Sequence, residues 1–283
     1  MTRAWTFALF FVFATAGCEN ERGRNERGKI HASDMPDAAR IVRQDIDRGR
    51  RGVAQAAERL RRGFLVEDAE RREREMRQVM MRMRQPPRSI NDLMVLPITF
   101  IAAVGTDGVV IARDAEEDRM RGFDLAAVVP VVRQALDGQA GYALSEIPSA
   151  EEGALPSVTI VFAAPARHEG RVVGAVAAGL PLWRIAQQIT AQLQLQHARD
   201  VANGELIWVL MLRGEEPHHH AGFPPDLVRM VPSAARRAEG LGASPGGFTG
   251  EFQQYGRWYG YGVLPVPSVA PDVSIIFFRS DRV

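Results

Sequence analysis

The spacing of apolar residues changes along the chain, and each change predicts an element. From Ala4 to Ala16 lies an apolar run, short for a membrane-spanning helix. Residues 19–32, ENERGRNERGKIHA, carry almost nothing apolar and read as a flexible tether. Residues 33–86 read as helix, with Ser33 or Asp34 as cap and Pro36 in the first turn. Ile46, Val53 and Leu60 recur at heptad spacing, and Val42, Ala57 and Phe64 stand beside them. That makes one apolar stripe on an Arg/Glu surface. Gly49, Gly52 and Gly63 weaken it and predict a bend or two helices; Gln85-Pro86-Pro87 ends it. Such a helix is either a stalk or dimerising helix, or one packed along its own globular domain, and the stripe fits both.

From residue 95 the period drops toward two. Ile98, Phe100, Ala102 and Val104 alternate on one strand, Asp107-Gly108 makes a tight turn, and Val109 to Ala112 return. Asp124 then caps a helical stretch carrying Leu125, Val128, Val129, Val132 and Leu136, which Pro130 splits and Gly138 closes. Strands follow at 140–147, 157–164 and 171–179, the last two joined at His168-Glu169-Gly170. VVGAVAAG is small and apolar on both faces, as a central strand covered on both sides should be. Leu182, Ile185, Ile189 and Leu193 mark a linking helix over 183–202. A second block, 203–283, repeats the order strand (206–212), partial helix (225–239), then strands at 250–255, 257–263 and 273–279. The fold class is α+β: a long N-terminal helix followed by one or two small domains with antiparallel sheets.

Composition alters this picture in two places. Lys+Arg 35 against Asp+Glu 34 gives +1, so no bulk field draws nucleic acid. The single cysteine, Cys18, follows Arg3, the apolar run and small residues, the layout of an export signal over residues 1–18. Small residues directly before a cysteine resemble the lipobox of bacterial lipoproteins, with Thr15 where that pattern prefers a leucine-like side chain. Lipidation of Cys18 is one outcome; ordinary cleavage or a retained anchor are the others. With Cys18 lipidated, no thiol remains for a disulfide.

The stretches FIAAVGTDGVVIARD, RGFDL, RQALDGQAGY and FAAPARHEGRVVGAVAAGLPL, spanning about residues 98–182, resemble the extracytoplasmic Cache (PAS-like) sensor domain. The long preceding helix and the second block resemble the double-Cache arrangement. The resemblance implies a Cache-like domain over 95–182: a five-stranded antiparallel sheet with helices on one face, and a small ligand between the sheet and the loop-helix segment joining its second and third strands. In that family a membrane helix and a cytoplasmic output module normally follow. This sequence has neither, so a signal would pass through a separate membrane partner.

On that reading Arg113 and Asp114 end the second strand where the pocket loop begins. A guanidinium at Arg113 suits a ligand carboxylate, and Asp114 or Asp118 suits an ammonium. Tyr142 and Thr159 on neighbouring strands are candidates to line the same space. The expected ligand is an amino acid or small organic acid. The alternative for the charged residues is a rim ion pair such as Arg113–Asp118, worth about 0–1 kcal/mol.

Other motifs carry less. His218-His219-His220 after Glu215-Glu216 has metal-ligand chemistry, but consecutive residues on a strand converge poorly on one ion, and no metal or other cofactor is assigned. GASPGGFTG lacks the ending of a phosphate-binding loop and reads as a turn. Trp258, Tyr259 and Tyr261 suit a stacking surface or a strand core, and Met80, Met81 and Met83 suit gap-filling. No nucleophile elbow, HExxH or paired CxxC appears, so no enzyme is assigned. The sequence points to an extracytoplasmic, membrane-anchored sensing protein, possible as a homodimer. The alternative is a non-catalytic structural or assembly lipoprotein whose PAS-like fold holds no ligand.

Overall fold

The computed structural model describes residues 21–117, 119–147 and 157–282. The described chain divides into two compact units. The first holds Val42–Ile185 with Ser268–Ala270; the second holds the residues up to Ile41, Ala186–Pro267 and Pro271 onward.

Residues 21–29 are helical and run through a π turn, Ile30–Asp34, into α1 (Met35–Leu60). This corrects the expected tether. The segment is helical because its charges are matched from far along the chain, as described below, and because Ile30 is fully buried. The expected long helix breaks after Leu60 into a short 3-10 turn, Gly63–Leu65, and α2 (Ala69–Met83), which starts on Asp68 accepting from Arg71 N. A short helix α3 (Asn91–Val95) follows. Val42, Ile46, Val53, Ala57, Leu60 and Phe64 are all buried within the described chain, so the stripe is consumed by its own domain.

The first sheet has β1 (Phe100–Val104), β2 (Val110–Arg113), β3 (Gly141–Ile147), β4 (Ser157–His168) and β5 (Arg171–Pro181), in the order β2-β1-β5-β4-β3, all antiparallel. Between β2 and β3 lie α4 (Leu125–Val128), capped by Asp124 accepting from Ala127 N, and α5 (Pro130–Leu136), separated at Val129-Pro130 as the proline demands. Both sheet faces are covered, where the resemblance implied helices on one. Phe100, Ala102, Val161, Ala163, Ala175 and Ala177 pack against Leu125, Val129 and Val132 on one side. On the other side Phe162 lies under α1 at Gly49, where a β-carbon would overlap its ring. Two-sided burial is what the small apolar run of β5 requires.

After α6 (Leu182–Gln196) and α7 (Ala198–Ala202) comes the second sheet: β6 (Ile207–Arg213), β7 (Glu216–His218), β8 (Phe248–Gln254), β9 (Arg257–Pro265) and β10 (Val273–Ser280). Its order is β7-β6-β10-β9-β8, the first sheet's order repeated position for position. The helices α8 (Pro225–Val228) and α9 (Ala234–Ala243) occupy the same place in sequence as α4 and α5. No helix among the described residues is long and apolar enough to cross a membrane.

Candidate functional site

In the first unit the sheet face beneath α4 and α5 is built by strand alternation. Ser145 stands opposite Thr159, Ala143 opposite Val161, and Arg113 opposite Ala102. Val161, Ala102 and Ala163 belong to the core against α4 and α5, so Arg113, Thr159 and Ser145 share that face. Tyr142 does not. It pairs with Phe162, whose ring lies 5.9 Å away, and both sit on the α1 side of the sheet. Its hydroxyl donates to Ser268 O at 2.8 Å. A strand position one residue over would have pointed it the other way.

Arg113 and Thr159 are well apart. Three strand steps and four residues separate their rows, about 14 Å across and 13 Å along. The Arg113 side chain narrows the gap by running along β1, where its Nη2 donates to Thr99 O at 3.2 Å. Thr159 Oγ1 donates back to Ser157 O at 3.0 Å. Asp114 is a strut. Its side chain is 2% exposed, Oδ1 accepts from Ile101 N at 2.8 Å, and Oδ2 pairs with Arg84 at 3.0 Å. A carboxylate so engaged has little capacity left for a ligand ammonium. The expected rim ion pair is Arg113–Asp118; the one the structure describes is Asp114–Arg84, from the segment after α2. Asp118, like Cys18 and the apolar run before it, lies outside the described residues.

Sequence reasoning missed Ser145. It is 7% exposed, and its Oγ is buried with no hydrogen-bond partner among the described residues. A buried hydroxyl left unpaired costs about 1–3 kcal/mol. The signal was available: in YALSEI, Ser145 stands between Ala143 and Ile147 on the core-facing register.

Two residues that follow β2 are tied to α2 or to the residue that caps it. Asp114 is held by Arg84, the C-cap of α2; Arg121 lies 2.8 Å from Glu73, a buried carboxylate that also takes Arg77 of its own helix.

The equivalent face of the second sheet is filled by rings. Phe252 stacks on Tyr259 at 5.1 Å, and Phe223 meets Trp208 and Phe278 edge-on. The histidine run joins this packing: His218 lies on β7, His219 rests 5.0 Å from Phe223, and His220 lies 5.7 Å from Trp208. Burial, then the neighbouring His219, holds His220 below its ordinary pKa. Among the described residues no group of three or more His, Cys, Asp or Glu side chains is placed to hold a metal.

Two five-stranded sheets of one strand order, each with short helices between its second and third strands, define a tandem PAS-like fold of the Cache type. The sensor domain of the V. cholerae histidine kinase DctB is similar, with TM-score 0.54 and 12% identity over 89% of this chain and 96% of that one. So is the ligand-binding domain of the Campylobacter jejuni chemoreceptor Tlp3 in complex with L-valine, with TM-score 0.55 and 7% identity over 95% and 96%. The ligand-binding domain of the Pseudomonas aeruginosa PAO1 amino acid chemoreceptor PctB in complex with L-Arg gives 0.50 and 19% over 90% and 87%. At such identities the likeness is one of fold. The sequence matches no family model and no curated protein.

Proposed function

We propose that the chain is a non-catalytic sensing module that binds a small polar molecule, an amino acid or organic acid, on the α4–α5 side of the first sheet. It would act outside the cytoplasm, anchored at a membrane through residues 1–18 and Cys18, and report to a separate membrane signalling protein. The observation that carries this reading is the buried Ser145 hydroxyl beside Thr159, without a hydrogen-bond partner among the described residues. The fold supports it, since similar domains have been seen with L-valine and L-Arg. Ser145 and Thr159 would hold the polar end of the ligand, and Arg113 would approach along β1. Closure of the loop beginning at Asp114 would pull on α2 through Arg84 and Glu73, given a ligand that binds the closed form better than the open one.

A second reading, a ligandless structural or assembly module, is favoured by the packing of the same face by Met120, Leu125, Val129 and Val132. Ser145→Ala separates the two without knowledge of the ligand. If the hydroxyl waits for a ligand, removing it from the free protein leaves the melting temperature unchanged or raises it. A fall of several degrees would make Ser145 a structural donor and take away the reading's main support.

A further inference from the structure

The second unit contains a charge cluster that the sensing face does not use. Arg279, on β10, is 0% exposed and is shared among carboxylates from separate parts of the chain. Its Nε meets Glu26 at 3.0 Å and its Nη1 meets Asp34 Oδ2 at 3.3 Å, both from the helical residues 21–34. Its Nη2 meets Asp200 of α7 at 2.8 Å and Glu205 at 3.1 Å. Lys29 links Glu26 and Glu205, at 2.9 Å from each. His197 Nε2 lies 3.0 Å from Asp34 Oδ1. Burial lifts the Glu26 carboxyl above its ordinary range despite these cations. An open hollow of ≈ 340 Å³ lined by Glu26, Lys29 and Glu205 brings solvent to one side of the cluster.

A second, independent feature lies at the C-terminal end of the same helical segment. The π turn Ile30–Asp34 closes with Met35 N donating to Ile30 O, and Pro36 follows. Proline brings no N–H, and its ring clashes with the carbonyl four residues back in a regular helix. A widened turn before a proline removes that clash and leaves the helix with fewer continuous hydrogen bonds there. The segment on the near side of this weak point is the one Arg279 grips. The segment lies close on β9: a β-carbon on Gly260 would come within 2.5 Å of Arg27 N, and one on Gly262 within 2.6 Å of the Ile30 side chain. A buried ion cluster is a costly way to gain stability, since well-packed apolar groups do as well or better. It does differ from an apolar contact in being able to open when its charge balance changes.

We infer that residues 21–34 form a hinged arm, with its hinge at Ile30–Pro36 and its latch at Arg279. The latch holds the arm on the second sheet; losing it frees the arm while α1 beyond Pro36 stays folded. The inference does not depend on what binds the first sheet, so either can fail alone.

Hydrogen exchange on the full chain tests it. In Arg279→Met, residues 21–34 are expected to lose most of their protection while residues 37–60 and β6 keep theirs. Asp34→Asn, a milder change, is expected to give a smaller rise in the same segment and serves if Arg279→Met does not fold. Adding Pro36→Ala, which heals the hinge, is expected to restore part of the lost protection. Unchanged protection of residues 21–34 in both latch variants overturns the inference. So does a loss spread evenly through β6, β9 and α1, which would make Arg279 a general strut.

Discussion

Charged residues in this protein divide by what they are bonded to. Arg113 and Asp114 are neighbours with different partners: Arg113 donates to Thr99 O, and Asp114 is held by Ile101 N and Arg84. Asp114→Ala leaves a β1 amide and a partly buried guanidinium without their acceptor. It should cost about 2 kcal/mol, the scale of a charge-assisted hydrogen bond with a partner that is one-third exposed. Denaturant unfolding measures this, and an unchanged midpoint would show the strut idle. The Arg279 cluster gives a prediction in pH. Burial first, and only partly offset by Lys29, raises Glu26 above 4.5. Burial also pushes Glu205 upward, but hydrogen bonds from Lys29 and Arg279 outweigh it and its pKa ends below 4.5. A raised acid contributes stability that is full below 4.5 and lost as pH rises through its folded value; a lowered one contributes stability lost as pH falls through its folded value. Lowering the pH from neutral toward 4.5 should therefore strengthen the second unit through Glu26 before Glu205 weakens it. Glu26→Gln should flatten that rise in a melting-temperature profile; a profile identical to the parent's would contradict it.

Elements were legible where local pattern alone specifies them. The Asp107-Gly108 turn, the split at Pro130, the cap at Asp124 and the covered strand β5 all follow from residues within a few positions. Three features were not, each for a long-range reason. The helix over 21–34 is written in polar residues whose partners, Glu205 and Arg279, lie far along the chain. Strand β7, Glu216-Pro217-His218, has no apolar alternation and is a strand because it pairs with Met211–Arg213. The face of Tyr142 turns on a one-residue parity that strand prediction leaves open, while Ser145 was readable from the same alternation. The α1 contact can be tested directly. Alanine at Gly49 gains about 1 kcal/mol of helix propensity. The same methyl overlaps the buried Phe162 ring, and overpacking costs about 1–3 kcal/mol. The clash should win, because the ring is held by a sheet. Gly49→Ala should lower the melting temperature, and Phe162→Leu should recover part of the loss; a stabilised Gly49→Ala would mean that α1 yields.

At the scale of the molecule, one strand order occurs twice with different interiors. The second sheet's helix-side face is closed by stacked and edge-on rings. The first sheet's face carries alanines between larger apolar residues, with Ser145 and Thr159 buried on it, and that difference is why binding is proposed for the first unit. Melting temperature, measured on the full chain against a panel of L-amino acids and small mono- and dicarboxylates, tests this most directly. A ligand at a hundred times its Kd stabilises the folded state by about 2.7 kcal/mol. For a domain of this size that is a rise of about 5–11 °C. The account predicts such a rise for at least one member of the panel, with Ser145→Ala needing about tenfold more of it, a loss of about 1.4 kcal/mol. No rise with any member, or a rise that Ser145→Ala leaves untouched, would contradict it.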